Sequence, residues 1–347
     1  NKLKKELTMN KLAKIGVSAL CGSLAAVASA QAGEMSVSGG ATATWSKGAP
    51  GTTGNPIGMN SGLTFTGSGE LDNGTTFTLT VTHADQAAYS SANIVMTVPG
   101  LGTIGIDQGA GGQGIDRIDD MMPTAWEETT GTNVGTGMQT IAGVGGSSNI
   151  EWGLDSGMLP DGLSAHIAYS PSAGGSQAND KATGGTSGAQ GSGWDVVIQH
   201  SGLSDGLNVF GGYSTIDVYT DATAGRTGDR NQVGFGATYA IGATTLGYQY
   251  TKDDIQAVSG TNYYENQAFG VSFNVNDDLS LSAGMHNSER NHTNGTTTEV
   301  EATSIQMAYS MGGASLKIAH TDVDNASYST AVNNDKDGYT VALTLAF

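Results

Sequence analysis

The strongest constraint on this chain is an alternation at two scales. Along short segments, large apolar side chains occupy every second position: Phe77, Leu79 and Val81 stand between threonines, Val233, Phe235, Ala237 and Tyr239 between small residues. Phe269, Val271, Phe273 and Val275 repeat the pattern, as does the stretch from Tyr339 through Val341, Leu343 and Leu345 to Phe347. Successive side chains of an extended strand point to opposite faces, so each segment has one greasy face and one small, wettable face. No comparable helical period occurs outside the first 32 residues.

At the larger scale, tight-turn chemistry recurs between these segments. Leu71-Asp72-Asn73-Gly74, Pro99-Gly100-Leu101-Gly102, Leu159-Pro160-Asp161-Gly162 and Leu203-Ser204-Asp205-Gly206 begin the series. Ile241-Gly242-Ala243, Asn276-Asp277-Asp278 and Met311-Gly312-Gly313 complete it. Gly, Asn and Asp supply positive φ or close the turn with a side chain. Between the hairpins lie polar connections at 47–61, 84–91, 108–146, 172–193, 216–230, 253–261, 289–298 and 324–337. Seven short turns and eight longer loops join sixteen strands. The expected fold is all-β: a 16-stranded antiparallel transmembrane β-barrel with short periplasmic turns and long outer loops.

Closure follows from energetics. Backbone N–H and C=O groups cannot stay unpaired in hydrocarbon, so a lipid-facing sheet has no free edge. The first strand, from Glu34 to Trp45, is therefore expected to pair with the last, from Gly338 to Phe347. About sixteen strands enclose a lumen too wide for side chains to fill. The inward positions, mostly Thr, Ser, Gly, Gln and Asn, hold nothing bulky enough for a core, and Thr340, Ala342, Thr344 and Ala346 read as channel wall.

Residues 1–32 have the features of a secretory signal peptide, leaving 33–347 as the barrel. Lys2, Lys4, Lys5, Lys11 and Lys14 precede an apolar run from Ile15 to Val27, and Ala30-Gln31-Ala32 offers small residues around a cleavage point. Cys21, the one cysteine, lies inside this leader, so the mature chain has neither disulfide nor thiol chemistry. Its 9 basic and 31 acidic residues leave a formal charge of −22, which opposes binding to nucleic acid.

Catalytic patterns do not emerge. The six histidines are scattered, with no H-E-x-x-H. Gly109-Ala110-Gly111-Gly112-Gln113-Gly114 lacks the Lys-Ser/Thr of a phosphate loop. No cofactor is expected. Ca²⁺ held by acidic outer loops (Asp253-Asp254, Asp322 to Asp324, Asn333 to Asp337) is a secondary option beside plain solvation. An outer-membrane barrel enzyme and a secreted β-rich adhesin remain as alternatives.

Four stretches carry a family resemblance. They are Gly33-Glu34-Met35-Ser36-Val37-Ser38-Gly39 after the leader, the hairpin from Leu63 to Thr80, the segment from Gly102 to Gly109, and the final strand ending on Phe347. On these the chain resembles the Gram-negative trimeric general porins, nearest to the alphaproteobacterial branch. The resemblance implies a homotrimer in outer-membrane lipid that passes small hydrophilic solutes and ions by passive diffusion. It also implies a third outer loop folded into the barrel, and Phe347 as an assembly signal for the barrel-insertion machinery.

That loop would lie in Gln108 to Gly146, whose Asp116, Arg117, Asp119, Asp120, Glu127 and Glu128 are the candidate constriction residues. Asp116, Asp119 and Asp120 either line the passage or start a short helix before Met121-Met122. The family commonly opposes this loop with wall arginines. Here the mature chain has only Arg117, Arg226, Arg230 and Arg290, and Lys317 is the basic residue expected at mid-strand facing the lumen, with Arg230 near a rim. A cation-preferring channel is expected.

Overall fold

The computed structural model describes residues 33–49, 55–85, 87–108, 110–173, 190–218 and 225–346. The leader expected over residues 1–32 and the terminal Phe347 lie outside the described residues. The chain runs β1 (Met35–Ala49), β2 (Ile57–Glu70), β3 (Thr76–Ala84), β4 (Ala87–Val98), β5 (Gly102–Gln108), β6 (Ser148–Leu154), β7 (Leu163–Ser170) and β8 (Gln190–Ser201). It continues with β9 (Leu207–Val218), β10 (Arg230–Ile241), β11 (Thr244–Asp254), β12 (Thr261–Asn274), β13 (Leu279–His292), β14 (Thr297–Met311), β15 (Ala314–Asp324) and β16 (Lys336–Ala346). Each strand pairs antiparallel with its sequence neighbours, and β1 pairs with β16 to close a barrel of sixteen. The closing register sets Thr42 opposite Thr344 and Trp45 opposite Val341, so the expected first-to-last pairing is present.

All seven tight turns fall between the strands expected to flank them. Two expected loops are mostly strand. β3 and β4 are separated only by residues 85–86 in place of the connection at 84–91. β13 and β14 pair as far as Asn291 and Thr297, and His292 N–H donates to Thr296 O at 2.9 Å across a tight turn. The greasy period ends where lipid ends, but the hydrogen-bond ladder continues into water, so polar stretches such as Glu289-Arg290-Asn291 stay in the sheet.

The outer face carries the large apolar residues, among them Leu79, Phe235, Phe269, Ile305, Leu343 and Leu345, all exposed on the isolated chain. Facing lipid removes them from water without a protein core. Tyr309 and Tyr339 stand near strand ends on this face, as expected of interfacial aromatics. Tyr248 instead lies mid-strand in β11 and packs on Phe269, with ring centroids 4.8 Å apart.

The lumen departs from expectation, because it contains an apolar core. Ile115, Ile118, Met122 and Ile141 from the third outer loop (residues 109–147) pack against Val197, Phe210 and Ala268 of the wall. A second cluster joins Val134 of the loop to Val300, Ala302, Val323, Ala326 and Tyr328. Thr340 and Ala342, expected to be channel wall, are buried; Thr340 Oγ1 donates to Thr132 O of the loop at 2.8 Å. The loop supplies the bulk that the strands lack, and its own greasy residues must be hidden from water.

Glycines on the inner face make room for it. A Cβ on Gly247 would sit 2.4 Å from Pro123 Cδ, and one on Gly234 would sit 2.8 Å from Ile141 Cδ1. Gly247→Val is therefore expected to push the loop away from the wall and lower single-channel conductance, with heat-modifiable barrel migration retained.

Candidate functional site

Charged and polar wall residues strap the third loop across the lumen. Glu151 Oε2 on β6 accepts from Gly114 N–H at 2.7 Å, and Asp195 Oδ2 on β8 accepts from Ile115 N–H at 2.9 Å and Val144 N–H at 3.0 Å. Gln232 Oε1 accepts from Ala142 N–H at 3.1 Å and Gly143 N–H at 2.6 Å. On the far side, Gln306 Oε1 accepts from Glu127 N–H at 3.0 Å while its Nε2 donates to Glu127 O at 2.7 Å. Ser282 accepts from Ala125 N–H at 2.9 Å, and the Thr132 and Thr321 hydroxyls meet at 2.6 Å. The loop's buried backbone groups are thus met by side chains of the wall, which lets an irregular segment lie inside the barrel.

None of these wall partners was singled out from the sequence. Glu151 and Asp195 are single carboxylates in short strands, and only the register that turns them inward reveals their role. The one local signal, a charge on the small-residue face of a strand, is shared by many rim residues.

The candidate constriction residues separate into two groups. Asp119, Asp120, Glu127 and Glu128 line one vestibule of about 270 Å³ together with Thr124 and Trp126. Within it, Asp120 and Glu127 are exposed, and Glu128 Oε1 accepts from Met122 N–H at 2.9 Å. Asp116 and Arg117 are not among its lining residues. Asp116 Oδ2 turns back to accept from Gly112 N–H at 2.6 Å, and Arg117 forms a salt bridge with Glu151. Of the two roles open to these aspartates, the helix start before Met121 does not occur among the described residues. A five-residue 3-10 turn, Gly114–Ile118, contains Asp116 and ends at Asp119, with no side-chain cap. The wall straps claim the backbone N–H groups that a capping carboxylate would have served.

Burial sets the charge state of these acids. Asp119 is pushed up to about 8, first by desolvation and then by the charges of Asp116, Asp120 and Glu128. Glu128 is raised to about 7 by desolvation, partly offset by its bond from Met122 N–H. Desolvation also raises Glu127, while nearby Lys317 pulls it back down. Lys317 pairs in register with Ala342, which pairs with Thr44 on β1, so its side chain shares the inner face.

The wall from β1 to β3 presents no basic side chain to the lumen. The inner face of β1, β2 and β3 presents Ser38, Thr42, Asn60, Thr64, Thr66, Thr80 and Thr82, aligned through their registers with Thr344 of β16. β2, β3, β4 and β5 hold no Lys or Arg, and Lys47 of β1 pairs with Tyr339 on the outer face. Arg230 is bound to Asp253, and Arg290 donates to Tyr328 O at 3.0 Å. Among the described residues, no group of three or more His, Cys, Asp or Glu is arranged to hold a metal ion, and Asp253 of the acidic-loop option is taken up by Arg230.

Three solved structures share this architecture at low sequence identity. Salmonella typhi OmpF in complex with daunomycin is 16% identical, with a TM-score of 0.66 over 90% of this chain and 97% of that one. An anion-selective porin from Comamonas acidovorans is 12% identical, with a TM-score of 0.63 over 91% and 100%. The trimer form of OmpT from Vibrio cholerae is 11% identical, with a TM-score of 0.61 over 91% and 99%. No curated protein sequence matches the chain. A family model for the Gram-negative porins matches residues 16–326. The closed sixteen-stranded barrel, its lipid-suited exterior and that match agree: the chain belongs to the Gram-negative porin family and forms a channel in the bacterial outer membrane.

Proposed function

We propose that this porin passes small hydrophilic solutes and ions by passive diffusion and prefers cations. The observation that carries the preference is the asymmetry of the passage: exposed Asp120 and Glu127 project from the loop, and the facing wall offers hydroxyls in place of basic side chains. Unpaired carboxylates in a narrow aqueous passage concentrate cations and repel anions. The shared fold does not dictate the sign, since one structure of the same architecture is described as anion-selective. The chain's own side chains must therefore decide it. A reversal potential under a KCl gradient tests the reading; anion preference overturns it.

The preference should depend on pH. Asp119 and Glu128 gain their negative charge only as pH rises through about 8 and about 7. Cation selectivity is therefore expected to strengthen from pH 6 to pH 9, at the same salt, and to weaken on acidification. A flat profile over that window would show that neither group faces the ion path.

A homotrimer is part of the same proposal. The exterior of β1 and β2 exposes Met35 (75%), Ile57 (68%) and Met59 (76%) on the isolated chain, and one structure of like fold is described as a trimer. Three equal conductance steps per insertion are the expected record; single steps alone would count against it.

A further inference from the structure

Behind the third loop lies a small cavity, lined by Asp119, Thr140 and Ile141 of the loop and by Gln249, Thr251, Asn266, Ala268 and His286 of β11, β12 and β13. Its water-accessible space is about 10 Å³, room for one water-sized occupant. Asp119 and Thr140 also line the open vestibule, so they form the partition between the two spaces.

The polar lining is short of donors. Gln249 Nε2 donates to the carbonyls of Ile118 at 2.5 Å and Asp119 at 3.2 Å. Asn266 Nδ2 donates to Gln139 O at 3.1 Å and Thr251 Oγ1 at 2.9 Å. These bonds fix both amides, because turning either one would aim its oxygen at a carbonyl. Gln249 Oε1 and Asn266 Oδ1 are left buried without a hydrogen-bond partner, and so is Nε2 of His286. All three residues are more than nine-tenths buried. Two orphaned amide oxygens and Asp119 belong to a lining that has no Lys or Arg among its residues. The upward displacement of Asp119 reports the same deficit, since desolvation and three neighbouring carboxylates oppose its charge and no cation offsets them.

We propose that this cavity binds one small, dehydrated monovalent cation, held by Asp119, Gln249 and Asn266, tying the third loop to the barrel wall. One carboxylate and two neutral oxygens around a one-water space suit a single positive charge. A divalent ion would keep an uncompensated charge in this buried space, because Asp119 is the one carboxylate residue of the lining. The ion enters past Asp119 from the vestibule, and this supply route rests on the cation pathway proposed above.

Crystals of the purified protein grown in rubidium chloride test the site. The expected result is an anomalous peak in the cavity of the wild type and its loss in Gln249→Met. A second readout is the temperature at which the assembled barrel loses its heat-modifiable migration. It should be higher in rubidium than in choline, a cation too large for the cavity, at equal ionic strength. An ordinary water in the cavity with no anomalous signal overturns the proposal. Equal temperatures in the two salts overturn the tying role. Should Gln249→Met not assemble, the wild-type rubidium and choline comparison decides both points. Reversal potentials on the same preparation keep the two readings apart: a cation-selective channel without a rubidium peak sinks this site alone.

Discussion

Replacing Asp120 and Glu127 together by Asn and Gln is expected to remove most of the cation preference and to leave Lys317 as the nearest charge to the passage. Both carboxylates are exposed in the vestibule, and the inner face of β1 to β3 carries hydroxyls and an amide but no basic side chain. A unit charge about 6 Å from a passing ion is worth about 0.7 kcal/mol at the dielectric of bulk water, and more where water is partly excluded. That corresponds to roughly threefold in local cation preference per charge, so about tenfold for the pair. Lys317, which already acts on Glu127, then acts without opposition, and the double variant should approach neutrality or slight anion preference. Asp116→Asn is the internal control, because Asp116 is bonded to Gly112 N–H and does not line the vestibule. It should change the permeability ratio by less than about twofold. Reversal potentials under a KCl gradient read both variants; a double variant with wild-type selectivity removes Asp120 and Glu127 from the ion path.

The second large effect should come from Asp195, which touches no solute. Its Oδ2 receives N–H groups from both ends of the third loop, Ile115 and Val144, at a fully buried position. Asp195→Leu leaves two buried N–H groups without an acceptor, a cost of about 1–3 kcal/mol each. That cost falls on the loop and not on the barrel, whose closed ladder of sixteen strands does not pass through Asp195's side chain. The root of the loop is then expected to detach, giving higher and noisier single-channel conductance in a barrel that still assembles. Asp195→Asn keeps one acceptor oxygen and should fall between the two. Wild-type conductance and quiet open levels in the Leu variant would show that Glu151, Gln232 and the apolar core hold the loop unaided.

The strands were legible because their environment is uniform along their length. Lipid on one side and water on the other impose a period of two on each of them, and a turn such as Leu71-Asp72-Asn73-Gly74 declares itself within four residues. Legibility failed first at the rims. Glu289-Arg290-Asn291 and its partners on β14 read as loop because neither face is greasy there, yet cross-strand hydrogen bonds continue past the lipid.

The candidate site was legible as a composition but not as a geometry. Five acids and one base in residues 116–128 marked the third loop, and four of those acids do line one vestibule. Sequence spacing could not separate Asp116, which serves the loop's own backbone, from Asp120 four residues later. Arg117 is taken up by Glu151, 34 positions away, and Ile115 and Ile118 find their cover in Val197 and Phe210.

The sequence by itself determined the number of strands, the turns between them, the greasy exterior and the segment that carries the acids. Only the tertiary structure decided which carboxylates meet the passage, what holds the loop and that a core lies inside the barrel. The physical reason is range. A strand's pattern answers to solvent met one residue at a time, whereas a loop crossing the lumen answers to partners up to 208 positions away, as Thr132 does to Thr340.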